Sequence, residues 1–122
     1  MDRLIGDYQT LKVRVEEDIC FAQIHRPDAA NAINATLIAE MDALLCQCAG
    51  VVKVFVLEGL PEVFCSGADF NEIKDNLRDS RREQEQAPGP LYDLWRRLTV
   101  APFITVAHVR GRVNAGGVGF VA

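Results

Sequence analysis

The chain has 122 residues, 49% apolar and 25% charged, which suits one small domain and excludes a disordered chain. A net charge of −4 offers no basic field for nucleic acid, and the arginines between positions 78 and 82 are answered at once by Glu83 and Glu85. Residues 1–10 carry Asp2, Arg3 and Asp7 with no long apolar core, so neither a signal peptide nor a membrane span is read there, and a cytoplasmic protein is expected.

In chain order, Leu11, Val13 and Val15 alternate with Lys12, Arg14 and Glu16, the period-2 pattern of a half-exposed strand. Glu17-Asp18 reads as a turn and Ile19 to Ile24 as a second strand, which predicts a hairpin over 11–25. Pro27 biases Arg26 away from helix and opens a loop over 28–34. Asn34 is a helix cap. Leu37, Ile38, Met41, Leu44, Leu45 and Cys48 then follow helical spacing from Ala35 to Ala49, with Gly50 as the stop.

Val54 to Leu57 is a short β-branched apolar run, predicted as a strand buried on both faces and stopped by Gly59 and Pro61. Phe64 and Cys65 put apolar weight under a turn, and Ser66-Gly67-Ala68-Asp69 opens a predicted helix to Leu77, with Asp69 as its N-terminal cap. Residues 78–90 are charged, then rich in Pro and Gly, and predict a mobile surface segment. Leu91 to Val100 reads as a helix with Leu94, Trp95 and Leu98 on one face, Tyr92 beside them as core or pocket wall, and Pro102 beyond its end. Ile104 to Val109 is another strand, broken by Gly111 and followed by a second glycine-rich turn through Asn114, Gly116, Gly117 and Gly119. Two strand-then-glycine-turn units thus recur in an α/β chain, each able to aim free main-chain N–H groups at a developing negative charge. The cysteines at 20, 46, 48 and 65 lack the spacing of a disulfide scaffold or zinc site and are expected reduced and mostly buried; no metal is implied. His25 and His108 read as structural histidines.

The segments Phe64-Cys65-Ser66-Gly67-Ala68-Asp69 and His108-Val109-Arg110-Gly111-Arg112-Val113-Asn114-Ala115-Gly116-Gly117 resemble the two signature blocks of the crotonase (enoyl-CoA hydratase/isomerase) superfamily. Arg26-Pro27 followed by Asn31-Ala32-Ile33-Asn34 resembles that family's first loop. Leu57-Glu58-Gly59-Leu60-Pro61-Glu62-Val63-Phe64-Cys65, Pro90-Leu91-Tyr92-Asp93-Leu94-Trp95 and Val109-Arg110-Gly111 look like the branch that works in polyketide β-branching.

The resemblance implies the repeated β-β-α spiral of crotonases, of which residues 1–122 form the amino-terminal half, the carboxyl-terminal half being absent. It also implies that the backbone N–H groups of Ser66 and Gly116 form an oxyanion hole for a thioester enolate. Cys65, Gly67, Ala68, Asp69, Gly117 and Tyr92 would line the substrate, with the pantetheine arm passing residues 65–69 and the loop at 29–32. The implied reaction is dehydration of a 3-hydroxy-3-methylglutaryl-type thioester on an acyl carrier protein. No cofactor is implied beyond the CoA or phosphopantetheine that carries the acyl group, and the complete protein is expected to be a homotrimer or hexamer. One departure stands out: Gly119 occupies the position of the first hydratase glutamate and cannot transfer a proton, and the second acid would lie beyond Ala122. A general hydratase or isomerase acting on CoA thioesters, and a silent fragment that only binds a thioester or partner, are the alternatives.

Overall fold

The computed structural model describes residues 7–67, 90–113 and 120. Strands β1 (Leu11–Glu16) and β2 (Ile19–Ile24) form the expected hairpin, in antiparallel register from Leu11 opposite Ile24 to Glu16 opposite Ile19. Its two-residue turn puts Glu17 at φ 54°, which twists the strands as a tight hairpin requires. Strand β3 (Val54–Glu58) pairs parallel to β2, and β5 (Ile104–His108) pairs parallel to β3, giving the order β1-β2-β3-β5. A second sheet is formed by two very short parallel strands, β4 (Val63–Cys65) and β6 (Arg112–Val113).

Helix α1 (Ala35–Cys48) begins where expected: the Asn34 side chain accepts a hydrogen bond from the Leu37 N–H at 2.8 Å, closing one of the open donors of the first turn. It ends as Gly50 takes φ 78°, a left-handed conformation without penalty for glycine. Its apolar stripe, Leu37, Met41, Leu44, Leu45 and Cys48, is buried against Cys20, Ala22 and Ile24 of β2, Phe55 and Leu57 of β3, and Leu94 and Leu98 of helix α2 (Pro90–Val100). Each large aliphatic side chain buried there stabilises the fold by about 1.5–3 kcal/mol. Glu40, on the same helix, accepts from the backbone N–H of Gln9 at 2.7 Å and of Thr10 at 2.8 Å, so α1 also holds the start of the hairpin.

Several expectations need correction. Strand β3 extends to Glu58 and is fully buried on one face only: Phe55 and Leu57 are sealed, whereas Val54 and Val56 on the opposite face are half-buried. The helices cover one side of the large sheet, so a central strand still alternates. Phe64 and Cys65 belong to a strand rather than lying under a turn, and Arg112–Val113 forms a strand that no periodicity announces. Helix α2 begins at Pro90, inside the segment read as mobile, because proline's fixed φ and missing N–H suit a first helical position; residues 78–89 and the helix read from Asp69 to Leu77 lie outside the described residues, except as noted for Pro90. Cys20, Cys48 and Cys65 are buried as expected, but Cys46 is exposed; all four are free thiols. Among the described residues no helix is long and apolar enough to cross a membrane.

The other face of the large sheet is uncovered. Ile104 and Val106 of the edge strand β5 are 66% and 43% exposed, and β5 has β3 as its neighbour on one side. On this face Arg14 stacks 4.0 Å from the Phe21 ring centroid and donates to Glu58 at 3.1 Å. Glu58, 8% exposed, also meets His108 at 3.2 Å, as the β3–β5 register requires. A carboxylate this buried is stable only because two basic side chains face it. His108 is thus structural, as read from the sequence.

Candidate active site

The small sheet builds the site. All three residues of β4 are buried, and the chain then turns through Ser66, half-buried, and Gly67, buried at φ 103°. That angle is open to glycine and strained for anything with a Cβ. The Gly67 carbonyl accepts from the Ile33 N–H at 2.7 Å, fastening the corner to the loop that follows β2. Burial pushes the Cys65 thiol up, and a hydrogen bond with the Gly67 backbone pulls it part of the way back, so Cys65 is a neutral wall rather than a nucleophile.

The first loop is itself pinned to β4 by one side chain. Asn31 is fully buried and left-handed at φ 56°, directly after Ala30 at φ 51°. Its Oδ1 accepts from the Arg26 N–H at 2.7 Å, and its Nδ2 donates to the carbonyls of Ile24 at 2.9 Å and Phe64 at 3.1 Å. The Arg26 guanidinium closes the same loop by donating to the Ala32 carbonyl. Sequence reasoning quoted Asn31 only as part of a motif and missed this role. The signal was an asparagine, a residue that tolerates left-handed backbone, just after a proline turn.

The second corner rises beside the first. Strand β6 runs parallel to β4 with Val113 opposite Cys65, and the Arg112 N–H donates to the Glu62 carbonyl at 3.2 Å. Chain segments leaving Cys65 and Val113 therefore depart from adjacent positions in the same direction. Gly111 makes this approach possible: a Cβ there would lie 2.3 Å from the Glu62 carbonyl carbon. Gly59 is held likewise, since its Cβ would lie 2.5 Å from the Phe64 Cα.

Of the residues named from sequence, Cys65, Ser66 and Gly67 are contiguous at the first corner. Ala68, Asp69, Gly116, Gly117 and Gly119 lie outside the described residues. Tyr92 is 56% exposed and is not a core wall, because a helix turns about 200° between it and Leu94, the buried residue of that stripe. Trp95 is half-buried, and its ring meets Phe120 edge-on with centroids 6.0 Å apart. The Trp95 Nε1 is shielded from solvent without a hydrogen-bond partner, a condition that costs about 1–3 kcal/mol.

The family model for enoyl-CoA hydratase/isomerase matches residues 14–122. The bacillaene synthase dehydratase PksH of Bacillus subtilis is 53% identical over 116 residues, covering 94% of this chain and 44% of the relative. A Rhodobacter capsulatus protein named a probable enoyl-CoA hydratase is 32% identical over 113 residues, covering 90% of this chain and 42% of the relative. The crystal structure of the pksH product superimposes with a TM-score of 0.81 at 53% identity, over 93% of this chain and 45% of that one. This chain therefore spans a little under half the length of the relatives it matches, corresponds to their amino-terminal portion, and shares their mixed α/β crotonase fold. With both corners and the first loop inside the matched span, the chain belongs to the enoyl-CoA hydratase/isomerase, or crotonase, family.

Proposed function

We propose that the complete protein dehydrates a 3-hydroxy-3-methylglutaryl-type thioester carried on an acyl carrier protein in polyketide β-branching. Loss of a C2 proton makes an enolate whose charge rests on the thioester oxygen. The C3 hydroxyl then leaves as water, taking up a proton, and a C2=C3 double bond remains. The backbone N–H groups of Ser66 and Gly116 hold the enolate oxygen, each contributing about 3 kcal/mol to the transition state in a water-poor site. Cys65, Gly67, Ala68, Asp69 and Gly117 line the thioester.

The observation that carries this reading is the parallel pairing of β4 with β6. Ser66 follows the end of one strand by one residue, and Gly116 follows the end of its partner by three. Two main-chain donors issuing side by side from neighbouring parallel strands are what a single carbonyl oxygen requires. Gly119 supports a dehydratase over a two-glutamate hydratase, since it has no proton to move. The greater identity to a relative named a dehydratase, 53% against 32% for one named a hydratase, leans the same way.

The second reading, a hydratase or isomerase acting on CoA thioesters, is favoured by the family match alone. Full-length protein presented with the same 3-hydroxy-3-methylglutaryl group on carrier protein and on CoA separates the two. A kcat/KM at least about tenfold higher on the carrier is expected; a preference for CoA overturns the carrier assignment. Cross-linking or light scattering of the same sample is expected to give a homotrimer or hexamer, the assembly proposed for the complete protein.

A further inference from the structure

Helix α2 carries a polar group into the apolar interior and gives it nothing to bind. The Trp95 ring lies edge-on to Phe120, at 87° between planes, and packs against the core cluster that contains Leu94, Leu98, Phe64 and Cys65. Its Nε1–H is, among the described residues, the one buried side-chain nitrogen or oxygen without a partner. Folded proteins pair nearly all such groups, and an orphaned donor beside a binding site calls for an acceptor that arrives with the ligand. Phe120 is next in sequence to the segment that holds Gly116 and Gly117, so the indole is tied to the same end of the chain as the second corner.

We infer that Trp95 is a specificity-determining residue whose indole N–H donates to the terminal carboxylate of the bound acyl group. This rests on the dehydratase reading above. Three kinds of oxygen are present on that acyl group. The thioester carbonyl is held by the two backbone amides, and the 3-hydroxyl departs during the reaction. The terminal carboxylate persists from substrate to product, accepts hydrogen bonds only, and needs donors once it is stripped of water. An indole N–H donates only and carries no charge, so it satisfies a carboxylate without perturbing proton transfer at C2.

The test uses the full-length protein and its Trp95→Phe variant, which keeps an aromatic ring and removes the N–H. Two carrier-bound substrates are compared: the 3-hydroxy-3-methylglutaryl thioester, and the 3-hydroxy-3-methylbutyryl thioester, in which a methyl replaces the carboxymethyl arm. For the first, kcat/KM is expected to fall by about tenfold to a hundredfold in the variant; for the second it is expected to stay within about threefold. An equal fall on both substrates overturns the inference and makes Trp95 a packing residue. Wild-type protein labelled with 15N at the indoles gives a readout independent of the variant's folding. The Trp95 Nε1–H resonance, assigned by comparison with Trp95→Phe or by its contacts to Phe120, is expected to move downfield with 3-methylglutaryl pantetheine and to stay in place with 3-methylbutyryl pantetheine. No difference between the two overturns the inference. Failure of the wild type to dehydrate the glutaryl substrate counts instead against the dehydratase reading, while an active wild type with an indiscriminate variant counts against Trp95 alone.

Discussion

Asn31 joins three segments through one amide, and its removal shows how much a single buried side chain can hold. Asn31→Ala leaves the Ile24 and Phe64 carbonyls and the Arg26 N–H without their partner and puts alanine at φ 56°. The expected loss is about 3 kcal/mol, read as a lower urea midpoint with an unchanged slope. Asn31→Asp keeps the acceptor toward Arg26 but faces a carboxylate to two carbonyls, and is expected to be no more stable than the alanine variant. Cys65 predicts a pH effect. Burial raises its thiol above the usual 9.0, so the folded chain keeps a proton that the unfolded chain releases as pH rises. The neutral thiol's contribution is therefore complete below the unfolded value and is lost as pH climbs toward the folded one. Unfolding midpoints measured from about pH 8 to about pH 10 should fall, with a shallower slope in Cys65→Ala. Cys48, which shares a hydrogen bond with Cys20 and is also pushed up, keeps part of that slope in the variant.

Elements differed in how well the sequence announced them. Helix α1 was readable to within a residue because three independent signals agree: the Asn34 cap, a 3.6-residue apolar stripe and Gly50. The hairpin was readable from strict alternation around Glu17-Asp18. Strands β4 and β6 were not, since three residues and two residues are too few for any period, and each exists only because the other lies beside it some fifty positions away. The corner at Ser66 and Gly67 could be found from its glycine, but its tie to Ile33 could not, because a main-chain bond between distant loops leaves no mark on side-chain identity. Gly111 is where this hidden pairing can be probed. Gly111→Ala forces a Cβ into the Glu62 peptide, so β6 must shift away from β4. A fall in kcat/KM of about a hundredfold is expected in the full-length enzyme, together with a lower melting temperature.

At the scale of the molecule, one side of the large sheet is filled by helices and the other shows an apolar row. Ile104 and Val106 on an edge strand are a template for unwanted pairing. Replacing Ile104 by Lys in the 122-residue chain should reduce self-association in sedimentation runs while changing stability by less than about 1 kcal/mol. The route of the backbone has its own consequence. The chain leaves the large sheet after β3 to join the small one at β4, then does so again from β5 to β6, with neighbours in the first sheet remaining neighbours in the second. The crossings, residues 59–62 and 109–111, are matched strides. Deleting or adding one residue in either would throw the second tread out of phase with the first, and with it the aim of both amides. Length variation among descendants of this protein is therefore tolerable at the hairpin turn and helix ends, and forbidden in two stretches of a few residues that touch no substrate.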